Sequence, residues 1–163
     1  MVVWGRMKLT SPAFSEGEMI PAKYTCDGDN VSPELVFEDV PEGTVSFALI
    51  MDDPDIPEAV KEARGIEVFD HWTLYGLPAD ARGLEEASEA GEKGLNGAGA
   101  PGYTGPCPPP QYEPKVHRYY FRLYALAEMP SFESPPSKAE LLVAIEPSTL
   151  AEATLMGTYT RAN

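Results

Sequence analysis

A chain of 163 residues, 43% hydrophobic and 23% charged, carries enough apolar side chains for one globular core and too many to stay disordered. Twelve Lys and Arg against 26 Asp and Glu leave a net charge of −14, which repels nucleic acid and anionic membranes at long range. The longest apolar run, from Val45 to Met51, is far too short to cross a bilayer, so no transmembrane segment is expected.

Residues 1–7 read as a short lead-in to a single domain spanning 1–163, because the patterned sequence begins at Lys8; Met1 and Met7 are alternative starts. No basic, apolar and small-residue succession marks a signal peptide, and a cytoplasmic location is expected. Seventeen prolines and fourteen glycines cut the chain into short elements, the signature of a β-rich fold with long loops. The run from Val45 to Met51 predicts a strand buried on both faces. It leads into Asp53-Pro54-Asp55, which is good turn chemistry and also sets two carboxylates at a strand end. A short helix is predicted from Pro57 to Arg64, and a second strand from Phe69 to Leu77. Alternation on that strand puts Asp70 and His71 on opposite faces.

The stretch from Gly91 to Pro110 is rich in glycine and proline. It reads as a surface loop, or as a nest of backbone N–H groups able to hold an anion. A third strand, from Val116 to Ala127, places His117, Tyr119, Phe121 and Leu123 on one face. Ser137 and Glu140 form a capping-box pattern for a helix through Ile145, broken at Pro147-Ser148. A last helical segment is expected from Leu150 to Met156, ended by Gly157.

Chemistry-bearing residues are sparse. The chain has two histidines, His71 and His117, and both stand near strand ends. Two cysteines, Cys26 and Cys107, form no disulfide framework, and a zinc site would need more ligands at closer spacing. Cys107 is flanked by prolines, no Gly-x-Ser-x-Gly elbow is present, and no phosphate-binding loop follows the glycines. The residues therefore point to an anion-accepting pocket with two histidines and two or more acids, needing no cofactor, metal or catalytic residue.

Six segments, taken in order, carry more information than any one of them. They are Tyr24-Thr25-Cys26-Asp27-Gly28-Asp29-Asn30-Val31-Ser32-Pro33, Asp52-Asp53-Pro54-Asp55, His71-Trp72, Gly102-Tyr103-Thr104-Gly105-Pro106-Cys107-Pro108-Pro109, His117-Arg118-Tyr119 and Leu155-Met156-Gly157-Thr158-Tyr159. The set resembles the phosphatidylethanolamine-binding protein (PEBP) family, in particular its bacterial and archaeal Raf-kinase-inhibitor-like branch. The resemblance implies a mainly β fold, with a large antiparallel sheet packed on a smaller one and a few short peripheral and C-terminal helices. It also implies a pocket for a small anionic ligand, phosphate- or phosphoethanolamine-like, lined by Asp53, Asp55, His71, Gly105, Pro106, His117 and Tyr119.

Three departures stand out: a longer loop between Asp55 and His71, Gly97-Ala98-Gly99 in place of a Phe-Gly pair, and the acid Asp70 beside His71. The resemblance brings Cys26 and Cys107 near the pocket rim, which would allow a disulfide, but the cytoplasmic reading favours two free thiols. The carboxylates are expected to orient the imidazoles and favour their protonated form. The function expected is binding of a phosphate- or carboxylate-bearing ligand such as a phospholipid headgroup. The rival is a protein-interaction regulator, either a serine protease inhibitor or a kinase regulator, with an unspecified partner and a homodimer left open. A weaker third reading is an enzyme using His71 and His117 as acid and base.

Overall fold

The computed structural model of the protein describes residues 6–161. Its centre is the strand β3 (Ser46–Asp53), following β1 (Lys8–Thr10) and β2 (Leu35–Glu38) in the chain; every residue of β3 is buried. After β3 come the helix α1 (Glu58–Arg64), β4 (Phe69–Pro78), β5 (Gly83–Leu84), β6 (Glu92–Lys93), β7 (Val116–Leu126), α2 (Lys138–Ile145) and β8 (Thr149–Thr160). A five-stranded antiparallel sheet runs β6-β4-β3-β7-β8, and a three-stranded one runs β1-β2-β5.

The double burial of β3 has a direct cause. On one face Phe47, Leu49 and Met51 join Leu9, Leu35, Phe37, Phe121, Leu123 and Leu155 between the two sheets. On the other, Ala48 and Ile50 pack with Tyr75, Tyr124, Leu141 and Ile145 under α2. A strand with apolar layers on both sides loses the alternation of a half-exposed strand and reads as a continuous apolar run. Asp52 belongs to the α2 face. Buried there, it receives the Arg122 guanidinium at 2.8 Å and the Lys138 ammonium at 3.1 Å. Lys138 also reaches Asp70 at 2.7 Å, so the acid beside His71 is tied to α2 and not to the imidazole.

The predicted helix from Leu150 to Met156 is a strand. Ala153, Leu155, Gly157 and Tyr159 are buried at every second position, and β8 pairs with β7 from Thr160 back to Thr149. The Ala-Glu-Ala-Thr-Leu composition favours helix locally, but a long sheet partner outweighs a propensity difference of a few tenths of a kcal/mol per residue. Gly157 is no helix cap. A Cβ there would stand 2.6 Å from Ile20 and 2.7 Å from Phe14.

Both other helices form where expected. Ser137 accepts the Glu140 N–H while the Glu140 carboxylate accepts the Ser137 N–H, and Gly65 ends α1 in the left-handed conformation. Met7, assigned to the lead-in, is a core residue at 4% exposure; residues 1–5 of that lead-in lie outside the described residues. Cys26 and Cys107 are joined in a disulfide, not free thiols. Their segments meet because the Cys26 N–H donates to the Pro106 carbonyl and the Gly105 N–H to Asn30 Oδ1, contacts that sequence spacing does not encode. No helix among the described residues is long and apolar enough to cross a membrane.

Candidate functional site

Four side chains converge where β3, β4 and β7 end. Asp53 closes β3 on the face of Phe47 and Met51, and β7 brings His117 and Tyr119 to that face by simple alternation. His71 arrives by a different route. Met51 pairs with Trp72 while Asp52 pairs with Asp70, so His71 is the extra residue of a β-bulge. A bulge re-aims a side chain. Here it lets the consecutive residues His71 and Trp72 both turn toward the inner face, where strict alternation would separate them.

Around these residues lies a cavity of about 210 Å³. Its polar wall is Asp53, His71, His117 and Tyr119; Ile56, Pro57 and Val60 at the start of α1, with Phe69, Pro108 and Pro109, make an apolar wall. A larger hollow of about 390 Å³ lies between β1 and β8, lined by Leu9, Phe14 and Leu155 among others. None of the buried polar atoms left without a partner belongs to its lining, so size does not select it.

Asp53 fulfils both of its sequence readings. Its Oδ1 accepts the Asp55 N–H at 2.7 Å, the turn role, and its Oδ2 stands 2.6 Å from His117 Nδ1, the orienting role. Both side chains of this pair are almost fully buried. His117 Nε2 and the Tyr119 hydroxyl have no hydrogen-bond partner among the described residues. Burial, with the charge of Asp53 behind it, holds the Tyr119 phenol well above its ordinary pKa, so it stays protonated.

His71 departs from expectation. Its Nδ1 is 2.7 Å from the Thr104 carbonyl oxygen. Burial pushes its pKa below the ordinary value of 6.5, against the opposing pull of that carbonyl and of Asp53, Asp52 and Asp70. The neutral ring is favoured, and the expected imidazolium does not apply at this residue. The depressed pKa has a consequence for stability. The unfolded chain takes up the proton first, so the His71 contribution is complete above pH 6.5 and is lost as pH falls from there toward the folded pKa. Denaturant titrations of wild type and His71→Gln between pH 7.5 and 5 are expected to show a steeper acid loss in the wild type. Parallel curves would contradict a neutral buried ring.

Two predicted site residues act from outside the cavity wall. Asp55 holds the Arg118 guanidinium through two oxygens at 2.8 Å and accepts the Arg118 N–H at 2.9 Å. That partnership keeps its carboxyl below the usual range. Pro106 contributes its carbonyl to Cys26.

Gly105 lines the cavity, but its N–H is already given to Asn30, and a Cβ there would overlap the Tyr24 carbonyl oxygen. Four other loop glycines are similarly committed. Gly94 donates to Thr73, Gly97 to Asp70, Gly99 to Asn96 and Gly102 to Gly94. The loop is pinned along β4, and these five glycine N–H groups are spent on the fold and not offered to an anion. Gly97 also makes room for the Phe69 ring, 2.7 Å from where a Cβ would stand.

Sequence reasoning did not find Thr104, whose carbonyl fixes His71, nor the apolar wall. Phe69 was within reach, since it stands two residues before His71 on a strand. Thr104 stands inside the Gly102–Pro109 segment, but nothing in the sequence marks its carbonyl as the partner of an imidazole.

Comparison with known proteins fits this arrangement. The family model described as phosphatidylethanolamine-binding protein matches residues 10–160. The chain belongs to the PEBP family. A UPF0098 protein of Methanothermobacter thermautotrophicus is 43% identical over 162 residues, covering 95% of this chain and 99% of the relative. A crystal structure of a PEBP homologue from Chlamydia trachomatis superposes with a TM-score of 0.87 at 43% identity, covering 95% of this chain and 97% of that one. YbcL of Escherichia coli, described as a new member of the mammalian PEBP family, gives a TM-score of 0.82 at 27% identity, covering 96% and 99%. The large and small sheets thus form a PEBP fold, and the cavity of Asp53, His71, His117 and Tyr119 lies within the region that the family model spans.

Proposed function

We propose that this PEBP-family chain is a binding protein whose cavity takes a small molecule bearing a phosphate or carboxylate group, such as a phospholipid headgroup. The observation that carries this reading is the pair of buried polar atoms, His117 Nε2 and the Tyr119 hydroxyl, without partners at one wall. A buried polar group left unsatisfied costs about 1–3 kcal/mol, and a site that retains two of them is built to satisfy them with something else.

The cavity volume supports a small occupant. A cavity of roughly 150 Å³ accommodates benzene. About 210 Å³ therefore suits a polar head with a ring-sized apolar body against Ile56, Val60 and Pro109, and leaves out the acyl chains of an intact lipid. The net charge of −14 means that an anion is held by these local groups and not by the field of the molecule. The pairing of Cys26 with Cys107 leaves neither as a thiolate nucleophile.

Calorimetric titration with inorganic phosphate and with acetate tests the reading. His117→Ala is expected to weaken phosphate binding by about 1.5–3 kcal/mol, the scale of one hydrogen bond to a charged group. Tyr119→Phe should act in the same direction. Affinity unchanged in both variants would sink the assignment.

A further inference from the structure

The polar wall also discriminates among phosphates, an inference that rests on the anion-binding reading. A carbonyl oxygen only accepts, so the hydrogen between His71 and Thr104, 2.7 Å apart, sits on His71 Nδ1. In a neutral imidazole the other nitrogen is then a lone pair. His71 is 5% exposed and boxed by the Phe69 ring at 4.8 Å and the Tyr119 ring at 5.3 Å, so its remaining opening is the cavity that it lines. Its Nε2 makes no hydrogen bond among the described residues. Desolvation favours the same neutral state. Asp53 and Asp52 on β3, Asp70 on β4 itself, and His117 and Tyr119 on β7 are the titratable groups that surround it.

One wall of the cavity therefore offers an acceptor at His71 Nε2 and a donor at the Tyr119 hydroxyl, on two rings in edge contact that both line it. A phosphate group bound at that wall lies against both rings. The two positions make opposite demands on it. Tyr119 needs an oxygen lone pair, which every phosphate has. His71 needs a hydrogen, which only a phosphate with a P–OH has. A phosphodiester has no such hydrogen, and its oxygen would face the His71 lone pair, a repulsive contact at a site where a hydrogen bond is available to a competitor.

We propose that the cavity selects phosphate monoesters and inorganic phosphate, in their singly protonated P–OH form, over phosphodiesters. The P–OH donates to His71 Nε2, and a second phosphate oxygen accepts from Tyr119. An intact phospholipid is a diester and is disfavoured; a free phosphorylated headgroup is a monoester and is favoured. Rejection of an analogue lacking a required hydrogen-bonding group is the stronger kind of specificity, because the buried partner is left unpaired.

The test uses the full chain, oxidised, with methyl phosphate and dimethyl phosphate at pH 5.5. Both then carry mainly one negative charge, since the second pKa of a phosphate monoester lies near about 6. Titration calorimetry is expected to show methyl phosphate binding at least about tenfold more tightly, and inorganic phosphate resembling the monoester. Nitrogen-15 NMR of the histidines gives a readout that needs no substitution. The His71 Nε2 resonance should shift from its lone-pair position on adding methyl phosphate and not on adding dimethyl phosphate. In His71→Gln, whose side-chain amide can turn to donate or accept, the preference should fall to about threefold or less. Dimethyl phosphate binding as tightly as methyl phosphate overturns the selectivity and leaves the anion site standing. Failure of both methyl phosphate and inorganic phosphate to bind removes the anion site and the selectivity with it.

Discussion

Replacing Phe121 by alanine is expected to cost about 3–5 kcal/mol of stability, the range for truncating a fully buried Phe. The residue is 0% exposed and sits at the middle of the inner face. It lies opposite Met51 on β3 and Leu155 on β8, with the Phe14 ring 5.9 Å away. Backbone pairing holds both flanking strands, so the cavity left behind closes poorly. Single domains are stable by only about 5–15 kcal/mol, so this one change removes a large share of the total. Urea titration should show a lower midpoint with an unchanged slope, and a melting temperature lower by roughly 10 °C. A cost under about 1 kcal/mol would mean that this position is not packed as described.

Removing the disulfide as the pair Cys26→Ser and Cys107→Ser ranks next, at about 2–4 kcal/mol. The two cysteines are 81 residues apart, so the bond restrains a large part of the unfolded chain. In the folded protein the same segments are also held by the Cys26 N–H to Pro106, the Gly105 N–H to Asn30, and the Tyr103 hydroxyl to the Tyr24 carbonyl at 2.7 Å. The loss therefore falls mainly on the unfolded state. Stability should drop while phosphate affinity stays within about threefold of the oxidised protein. The opposite result, intact stability with binding abolished, would show that the bond shapes the pocket and does little for the fold. Both cysteines are exposed, so a reductant reaches the bond without prior unfolding.

The fold was legible wherever one strong local signal matched its tertiary setting. The apolar run into β3, the alternation of β7 and the Ser137 capping box each announce their element, because burial pattern and hydrogen-bond chemistry are written in adjacent residues. β8 was misread for the converse reason. Its composition suits a helix, and what makes it a strand is the whole length of β7 beside it. At the site, His117 and Tyr119 were legible through period-two alternation on a recognisable strand, and Asp53 through the Asp-Pro-Asp turn at a strand end. The setting of His71 was not, since a bulge is a mismatch between two strands and neither strand's sequence contains it. For five of the loop glycines the nest failed on accounting. Glycines signal conformational freedom, but whether their N–H groups remain available depends on what the fold has already asked of them. The disulfide was weighed by compartment and decided by proximity.

One feature of the large sheet bears on how another protein would meet this one. The outer side of β8 is not bare along Met156–Thr158. The segment just before Ile20 lies against it, with the Gly17 N–H on the Met156 carbonyl at 2.7 Å, the Thr158 N–H on Glu18 at 2.9 Å and the Ile20 N–H on Thr158 at 2.7 Å. At the opposite end of the sheet, β6 is only two residues long. Recognition by adding a strand requires an open row of backbone donors and acceptors. Along Met156–Thr158 that row is already taken, so a visiting strand would first have to displace residues 17–20. A partner meeting the protein there encounters side chains and loops, and its selectivity has to be read from shape and charge, not from backbone pairing.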